Sequence, residues 1–286
     1  MARAPPSGPT VVRGLAFWAR QRWHIRPACA MLPCAMNKLL LASALCVFAA
    51  CKGNTYRVNV GPMFALANGD VALQNEAGGL SLGTNQNDVD SEIGAGDTQA
   101  APYARLEVNN DKHRFRAHGF GLDSNSTGTV LGAYGDIPAG TSVTTSLEFY
   151  AIAANWSYQL LRSQAYRVGA GAQIGYYSLD VAARSNVARE EVVTDVLVPM
   201  PFVEIEGYVG PLTVGANASF MSADLGDGSG IYWDMELYAR LQATKNFELL
   251  AGYRYLSIDA YGVATARDFD ADVDVQGIFL TAGIKF

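Results

Sequence analysis

The feature that most constrains this chain is an alternation of apolar and polar residues with a period of two, which recurs from residue 52 to the C-terminus. No segment beyond residue 52 sustains a helical period, and Gly, Asn, Asp and Pro separate the alternating segments. The pattern predicts an all-β protein with ten strands, and eight strands are the alternative count. The predicted strands cover 55–66, 101–109, 113–122, 144–159, 165–180, 197–208, 212–223, 231–242, 247–259 and 273–286.

The connections between these strands are sorted by length. Every second connection is a tight turn (110–112, 160–164, 209–211 and 243–246), whereas the others are longer and rich in Gly, Asp, Asn and Ser, notably 67–100, 123–143 and 181–196. Membrane-spanning barrels have short periplasmic turns and long extracellular loops, and their strands need about 9–11 residues to cross. The sorting therefore predicts a closed, antiparallel, up-and-down transmembrane β-barrel over residues 52–286.

Charged residues share one face of the predicted strands. In 231–241, Asp234, Glu236 and Arg240 alternate with a purely apolar face. Charges at strand centres need partners or water, which a polar lumen provides while lipid covers the apolar face. The predicted polar network of the lumen consists of Arg114, Arg116, His118, Glu148, Glu204, Glu206, Asp234, Glu236, Arg240 and Arg254, with Arg105 and Glu107 as further candidates.

The N-terminal part is a different kind of sequence. Residues 36–51 hold a start methionine, one lysine and a short apolar run, which is typical of a bacterial signal peptide. Residues 1–35 form either a non-native or unstructured extension, translated from an unused upstream start, or a long basic extension of the signal. Phe48-Ala-Ala-Cys51 resembles a lipobox, so Cys51 is a candidate for lipidation; ordinary cleavage nearby is the alternative.

The last strand carries a resemblance to a known family. Gly277-Ile-Phe-Leu-Thr-Ala-Gly-Ile-Lys-Phe286 resembles the final strand of bacterial outer-membrane β-barrel proteins, and the chain is similar to small single-chain barrels such as the membrane domain of outer-membrane protein A. The resemblance implies location in the bacterial outer membrane, contact with its lipid and lipopolysaccharide, and recognition of Phe286 by the barrel-assembly machinery. It implies no oligomeric state.

The remaining candidate sites are few. Asp268, Asp270, Asp272 and Asp274 would line one strand face, either as a cation-attracting rim with weak metal-binding potential or as a solvated loop end. His118 has no nearby serine partner, which favours a lumen hydrogen bond over acyl-hydrolase chemistry. Tyrosines near strand ends, among them Tyr103 and Tyr232, would form interfacial girdles or cross-strand pairs. We predict no catalytic, cofactor-binding or firm metal-binding residue.

Charge and barrel size limit the functions to be considered. Residues 52–286 carry 15 basic and 27 acidic side chains, and the absence of a basic stripe excludes nucleic-acid binding. The prediction is a non-enzymatic outer-membrane protein that contributes to the envelope and passes ions or small solutes through a narrow path at most, because barrels of about this size are filled by side chains. The alternatives are an adhesion or receptor barrel that acts through its long loops, and a lipid-modifying enzyme.

Overall fold

The structure is a computed structural model that describes residues 53–75, 78, 81–93, 97–225, 228–264 and 267–286. The predicted extension over 1–35, the signal peptide over 36–51 and the lipidation at Cys51 lie outside the described residues. Within the described ranges, no helix has the length and apolar character needed to cross a membrane.

Ten long strands form a closed ring. The strands are β1 (Thr55–Leu73), the two-residue β2 (Asn87–Asp88), β3 (Gln99–Asn110), β4 (His113–Thr129), β5 (Ser142–Arg162), β6 (Tyr166–Arg184), β7 (Arg189–Val209), β8 (Leu212–Leu225), β9 (Gly228–Gln242), β10 (Phe247–Ala264) and β11 (Arg267–Lys285). Each long strand pairs antiparallel with its neighbours in the chain, β1 also pairs with β11, and β2 adds to the free end of β1. The predicted closed up-and-down barrel is confirmed, with ten long strands rather than eight.

Three predicted connections are instead strand hairpins that project beyond the barrel wall. The segments 181–196, 224–230 and 260–272 were expected to be loops, but β6 and β7 remain paired as far as Arg184 and Arg189. The hairpins β8–β9 and β10–β11 are paired in the same way to their tips. Polar residues continue the alternation there, and the ladder supplies the backbone hydrogen bonds that a loop would leave to water. The two ends of the barrel therefore differ mainly in strand length.

The outer surface carries a continuous apolar band. Leu197, Leu237 and Ile278 project outward from three different strands with 62%, 57% and 63% of their surface exposed. Large apolar side chains exposed on every side are costly in water and favourable in hydrocarbon. Within this band the charged residues of β7 and β9, such as Glu204 and Glu236, lie inside, so the apolar face meets lipid. Tyr103 and Tyr232 are buried and face inward, so the girdle expected for them is wrong, because they lie on the lumen side of their strands.

The ladder between β7 and β8 ends early. Pairing begins at the periplasmic turn and stops at Phe202 and Ser219, although both strands continue. Pro199 and Pro201 lie directly beyond this point, and proline has no N–H to donate. The backbone N–H groups of alternate residues in a strand point to the same neighbouring strand. The ladder between β7 and β6 continues past both prolines. The missing donors therefore belong to the side that faces β8, and the two strands separate there.

Replacing Pro201 by valine should extend this ladder. The new N–H would allow β7 to pair with β8 next to Phe202, so we expect slower amide exchange over residues 220–222 and a free energy of unfolding higher by about 1 kcal/mol. Hydrogen exchange in detergent micelles measures the first effect, and denaturant unfolding measures the second. Pro211→Ala, in a periplasmic turn, is the control that adds an N–H elsewhere. Unchanged exchange over 220–222 in the Pro201→Val variant would contradict this explanation.

Candidate functional site: the lumen and the two ends of the barrel

The lumen is divided into a charged half and an apolar half. Arginine and glutamate side chains fill the half beside the short turns, which is the periplasmic half by the usual orientation of such barrels. Beyond Tyr103, Phe120 and Phe202 the inward positions are almost all apolar. Among the described residues, the charged network of the lumen therefore lies in the periplasmic half, and the apolar half contains the ion pair of Glu190 with Arg267.

Glu107 lies at the centre of the charged half. Its carboxylate accepts hydrogen bonds from Arg57 at 2.7 Å, Arg240 at 2.8 Å and Arg105 at 3.3 Å. The Glu107 side chain is completely buried, and removing a carboxylate from water is costly unless charge-assisted hydrogen bonds replace the lost hydration. Guanidinium groups from three strands supply that replacement and tie β1, β3 and β9 together across the lumen.

Glu204 is a second centre. It accepts hydrogen bonds from Ser157 at 2.5 Å, Arg114 at 3.0 Å and Arg116 at 3.1 Å, and the Arg167 guanidinium lies 3.1 Å from the same carboxylate. One Glu204 oxygen thus accepts from two guanidiniums, and the other accepts from Ser157. Three guanidiniums share this one carboxylate, so the local balance of charge is positive.

The same imbalance holds for the network as a whole. Six arginines and five glutamates are linked by ion pairs of 4.0 Å or less, which leaves one uncompensated positive charge; the members are Arg57, Arg105, Arg114, Arg116, Arg167, Arg240, Glu107, Glu204, Glu206, Glu236 and Glu248. Arg254 and Asp234 form a further pair at 2.8 Å. Interlocked side chains of this kind fill the lumen of a small barrel rather than lining a water-filled path.

The apolar half is closed by two loop segments that fold inward. Val89 and Ile93 from the connection after β1, and Tyr134 and Ile137 from the connection after β4, are at most 2% exposed and join the apolar core. Burying such side chains is favourable by about 1.5–3 kcal/mol each. The loops therefore act as a lid of the core and do not extend freely from the barrel.

Polar contacts hold this lid in place. Asn87 accepts a hydrogen bond from the backbone of Gly132 at 3.1 Å, which joins the two loops. Glu190 on β7 accepts from the backbone N–H of Asp136 at 2.7 Å and pairs with Arg267 on β11 at 2.6 Å. One loop and two strands thus meet at the buried Glu190 carboxylate.

Nine of the ten predicted network residues face the lumen, and one does not. The nine buried residues are Arg114, Arg116, His118, Glu204, Glu206, Asp234, Glu236, Arg240 and Arg254. Glu148 is exposed on the outer face, so its predicted place in the lumen is wrong. Glu148 lies two and four residues before Tyr150 and Ile152 on the same strand, so it shares their exposed outer face. The prediction placed it in the lumen because it is charged.

The prediction missed several members of the network. Arg57, Arg167 and Glu248 take part in it, together with the lumen amides Asn155 and Gln173. Strand parity would have found Glu248, because it lies six residues before Arg254 on the same strand and therefore on the same face.

The acidic ladder on β11 faces outward beyond the apolar band. Asp272 is directly opposite Asp70 on β1 and Asp259 on β10, so three carboxylates lie side by side across three strands. Burial and the surrounding carboxylates, Asp259 and Asp274 foremost, raise the pKa of Asp272 above its usual value. Among the described residues, no group of three His, Cys, Asp or Glu side chains has the geometry of a metal site. The weak metal-site candidates Asp268, Asp270, Asp272 and Asp274 therefore do not form such a group.

Comparison with known proteins supports the fold. No protein-family model and no curated protein matches the chain. Among solved structures, the outer-membrane protease OmpT of Escherichia coli matches with a TM-score of 0.52 at 13% identity, covering 83% of this chain and 97% of that one. The attachment invasion locus protein Ail of Yersinia pestis matches with a TM-score of 0.34 at 13% identity, covering 82% and 100% of the two chains. The chain thus has the fold of small outer-membrane barrels, in agreement with its predicted location.

The OmpT match also corrects the prediction that the protein is not an enzyme. A barrel of this fold is a protease, so the fold is compatible with catalysis, and the prediction, which followed from the lack of a serine partner for His118, is wrong. At 13% identity the match establishes the fold alone and assigns no activity to this chain. The described histidines lie at a periplasmic turn (His113, stacked on Trp156) and in the lumen (His118).

Replacing Glu204 by glutamine should destabilise the barrel strongly. The change leaves three guanidiniums without their shared negative charge, and breaking a buried ion pair on one side costs about 3–5 kcal/mol. We expect the denaturant concentration at the midpoint of unfolding to fall accordingly. The mobility of unboiled samples on a gel measures the folded fraction at each denaturant concentration. Glu148→Gln makes the same chemical change on the outer face and should leave the midpoint nearly unchanged. Equal effects of the two substitutions would show that the network does not hold the barrel.

Proposed function

We propose that this protein is a closed barrel that binds a basic polypeptide partner on its extracellular surface. The observation that carries the proposal is the separation of charge along the barrel. The segments 67–97, 123–148, 178–196, 222–231 and 257–274 contain 20 acidic and three basic residues, a net charge of −17 (3 minus 20), and their described residues form the extracellular end. The rest of the chain from residue 52 contains seven acidic and 12 basic residues, a net charge of +5 (12 minus 7).

The filled lumen favours surface binding over transport. The charged network occupies the periplasmic half, and the apolar core with its inward-folded loops occupies the other half. An ion would have to separate paired guanidiniums and carboxylates and then cross a layer without polar partners, both of which are costly. The narrow ion or solute path considered from the sequence therefore has little support in this geometry.

The ordered acidic hairpins favour a basic protein over lipopolysaccharide as the partner. Hairpins that are paired to their tips present carboxylates such as Glu191, Asp195 and Asp259 on a fixed framework, and complementary charge speeds and orients protein association. Lipopolysaccharide is itself anionic, so each of its contacts with these carboxylates would require a bridging cation. A basic protein surface needs no such bridge.

Binding of a lysine-rich peptide to the barrel in nanodiscs tests this proposal. We expect binding that weakens as salt rises from about 50 to 300 mM, since exposed charges are screened over about 10 Å. The triple variant Asp70→Asn, Asp259→Asn, Asp272→Asn should weaken binding severalfold and should fold normally, because it relieves repulsion between neighbouring carboxylates.

The matched control is Asp111→Asn in a periplasmic turn, which should leave peptide binding unchanged. Asparagine tolerates the positive φ of 42° at this position. Equal weakening by the control and the triple variant would overturn the proposal. Peptide binding that is absent, with calcium-dependent binding of lipopolysaccharide in its place, would also overturn it and would favour lipid as the partner.

A further inference from the structure

The periplasmic end of the barrel contains a polar cavity of about 580 Å³. It lies between the start of β1, the β3–β4 turn, the β5–β6 turn and the end of β7, and we call it the vestibule. Four arginines line it, Arg57, Arg114, Arg162 and Arg167, and Asp111 is the one acidic residue among its described lining residues. Its lining therefore has a net charge of +3 (4 minus 1).

The carboxylates behind the vestibule neutralise part of this charge, but the network to which they belong keeps one positive charge in excess. Arg114 and Arg167 share Glu204 with Arg116, and Arg114 also pairs with Glu206. Arg57 shares Glu107 with Arg240 and other arginines. The excess of arginine in the network is thus present at the floor of the cavity, where a ligand from the periplasm would meet it.

Arg167 is the least satisfied of these groups. It is only 6% exposed, and its Nε and Nη2 atoms make no hydrogen bond, although Nη2 lies 3.1 Å from the Glu204 carboxylate. These two atoms have almost no exposed surface, so an oxyanion in the vestibule would contact the exposed part of this guanidinium and add to the charge compensation that Glu204 divides among three arginines. Arg162, which is the cross-strand neighbour of Arg167 in the β5–β6 hairpin, is exposed at the rim and has no ion-pair partner within the described part of the chain.

We propose that the vestibule binds a periplasmic ligand that carries carboxylate or phosphate groups. Arg167 would hold one oxyanion at the floor, and Arg162 would contact a second at the rim, with Gln159 available as a neutral hydrogen-bonding group. Cavities of about 300–1,000 Å³ accommodate small organic molecules, so the volume suits a ligand with several anionic groups or the acidic end of a polymer better than a single inorganic ion. This site is independent of the extracellular partner proposed above.

Calorimetric titration of the folded full barrel in detergent tests the proposal, with citrate and inorganic phosphate as probes at constant ionic strength and without divalent cations. We expect one binding site per barrel. Tighter binding of citrate would identify a polycarboxylate ligand, and tighter binding of phosphate would identify a phosphorylated one; both support an oxyanion site. No heat of binding from either probe up to about 10 mM would overturn it, because an affinity weaker than that is below the useful range.

Two substitutions locate the site. Arg167→Gln and Arg162→Gln should each weaken binding about tenfold or more, since each removes charge-assisted hydrogen bonds. Arg162 is exposed and outside the buried network, so its variant tests the site even where Arg167→Gln reduces folding. Arg184→Gln, at the extracellular end, is the control and should bind like the unmodified protein. Binding unaffected by Arg162→Gln, or weakened equally by Arg184→Gln, would overturn the assignment.

Discussion

Ion pairing inside a lipid-facing barrel is the constraint on which the rest of the structure depends. The outer face is apolar, so every charged side chain of the wall must find its partner inside. Arg and Glu side chains from β1, β3, β4, β6, β7, β9 and β10 meet in one network, and Glu107 and Glu204 each serve several guanidiniums. Because the members come from so many strands, the network fixes the positions of strands that are far apart in the sequence.

The apolar half of the lumen performs a different task. There the inward side chains pack as in a soluble protein, and two loops complete the core from above. The barrel thus has a charged lumen in its periplasmic half and an apolar lumen in the other half, and its hairpins project beyond the apolar outer band. The projecting hairpins are a solvated surface on this framework, where charged side chains are readily accommodated.

Much of this architecture could be predicted from the sequence, because strand alternation records which face meets lipid. The face assignments in β9 and β11 and nine of the ten proposed lumen residues needed only parity. Glu148 was misplaced because charge was given more weight than parity. The projecting hairpins were missed because their outward residues are polar and look like loops. The partners of each arginine depend on the stagger of strands around the ring, which no single strand encodes.

The central claim is that paired charges and an apolar core close the lumen, and electrical recording across a planar bilayer tests it most directly. The account predicts no resolvable current steps after insertion of the refolded barrel, even at raised voltage and salt. It further predicts that insertion itself is normal, as shown by the same barrel migrating faster unboiled than boiled on a gel. Stable, long-lived current steps from the correctly folded protein would contradict the account, because they would require a continuous water-filled path through the network and the core.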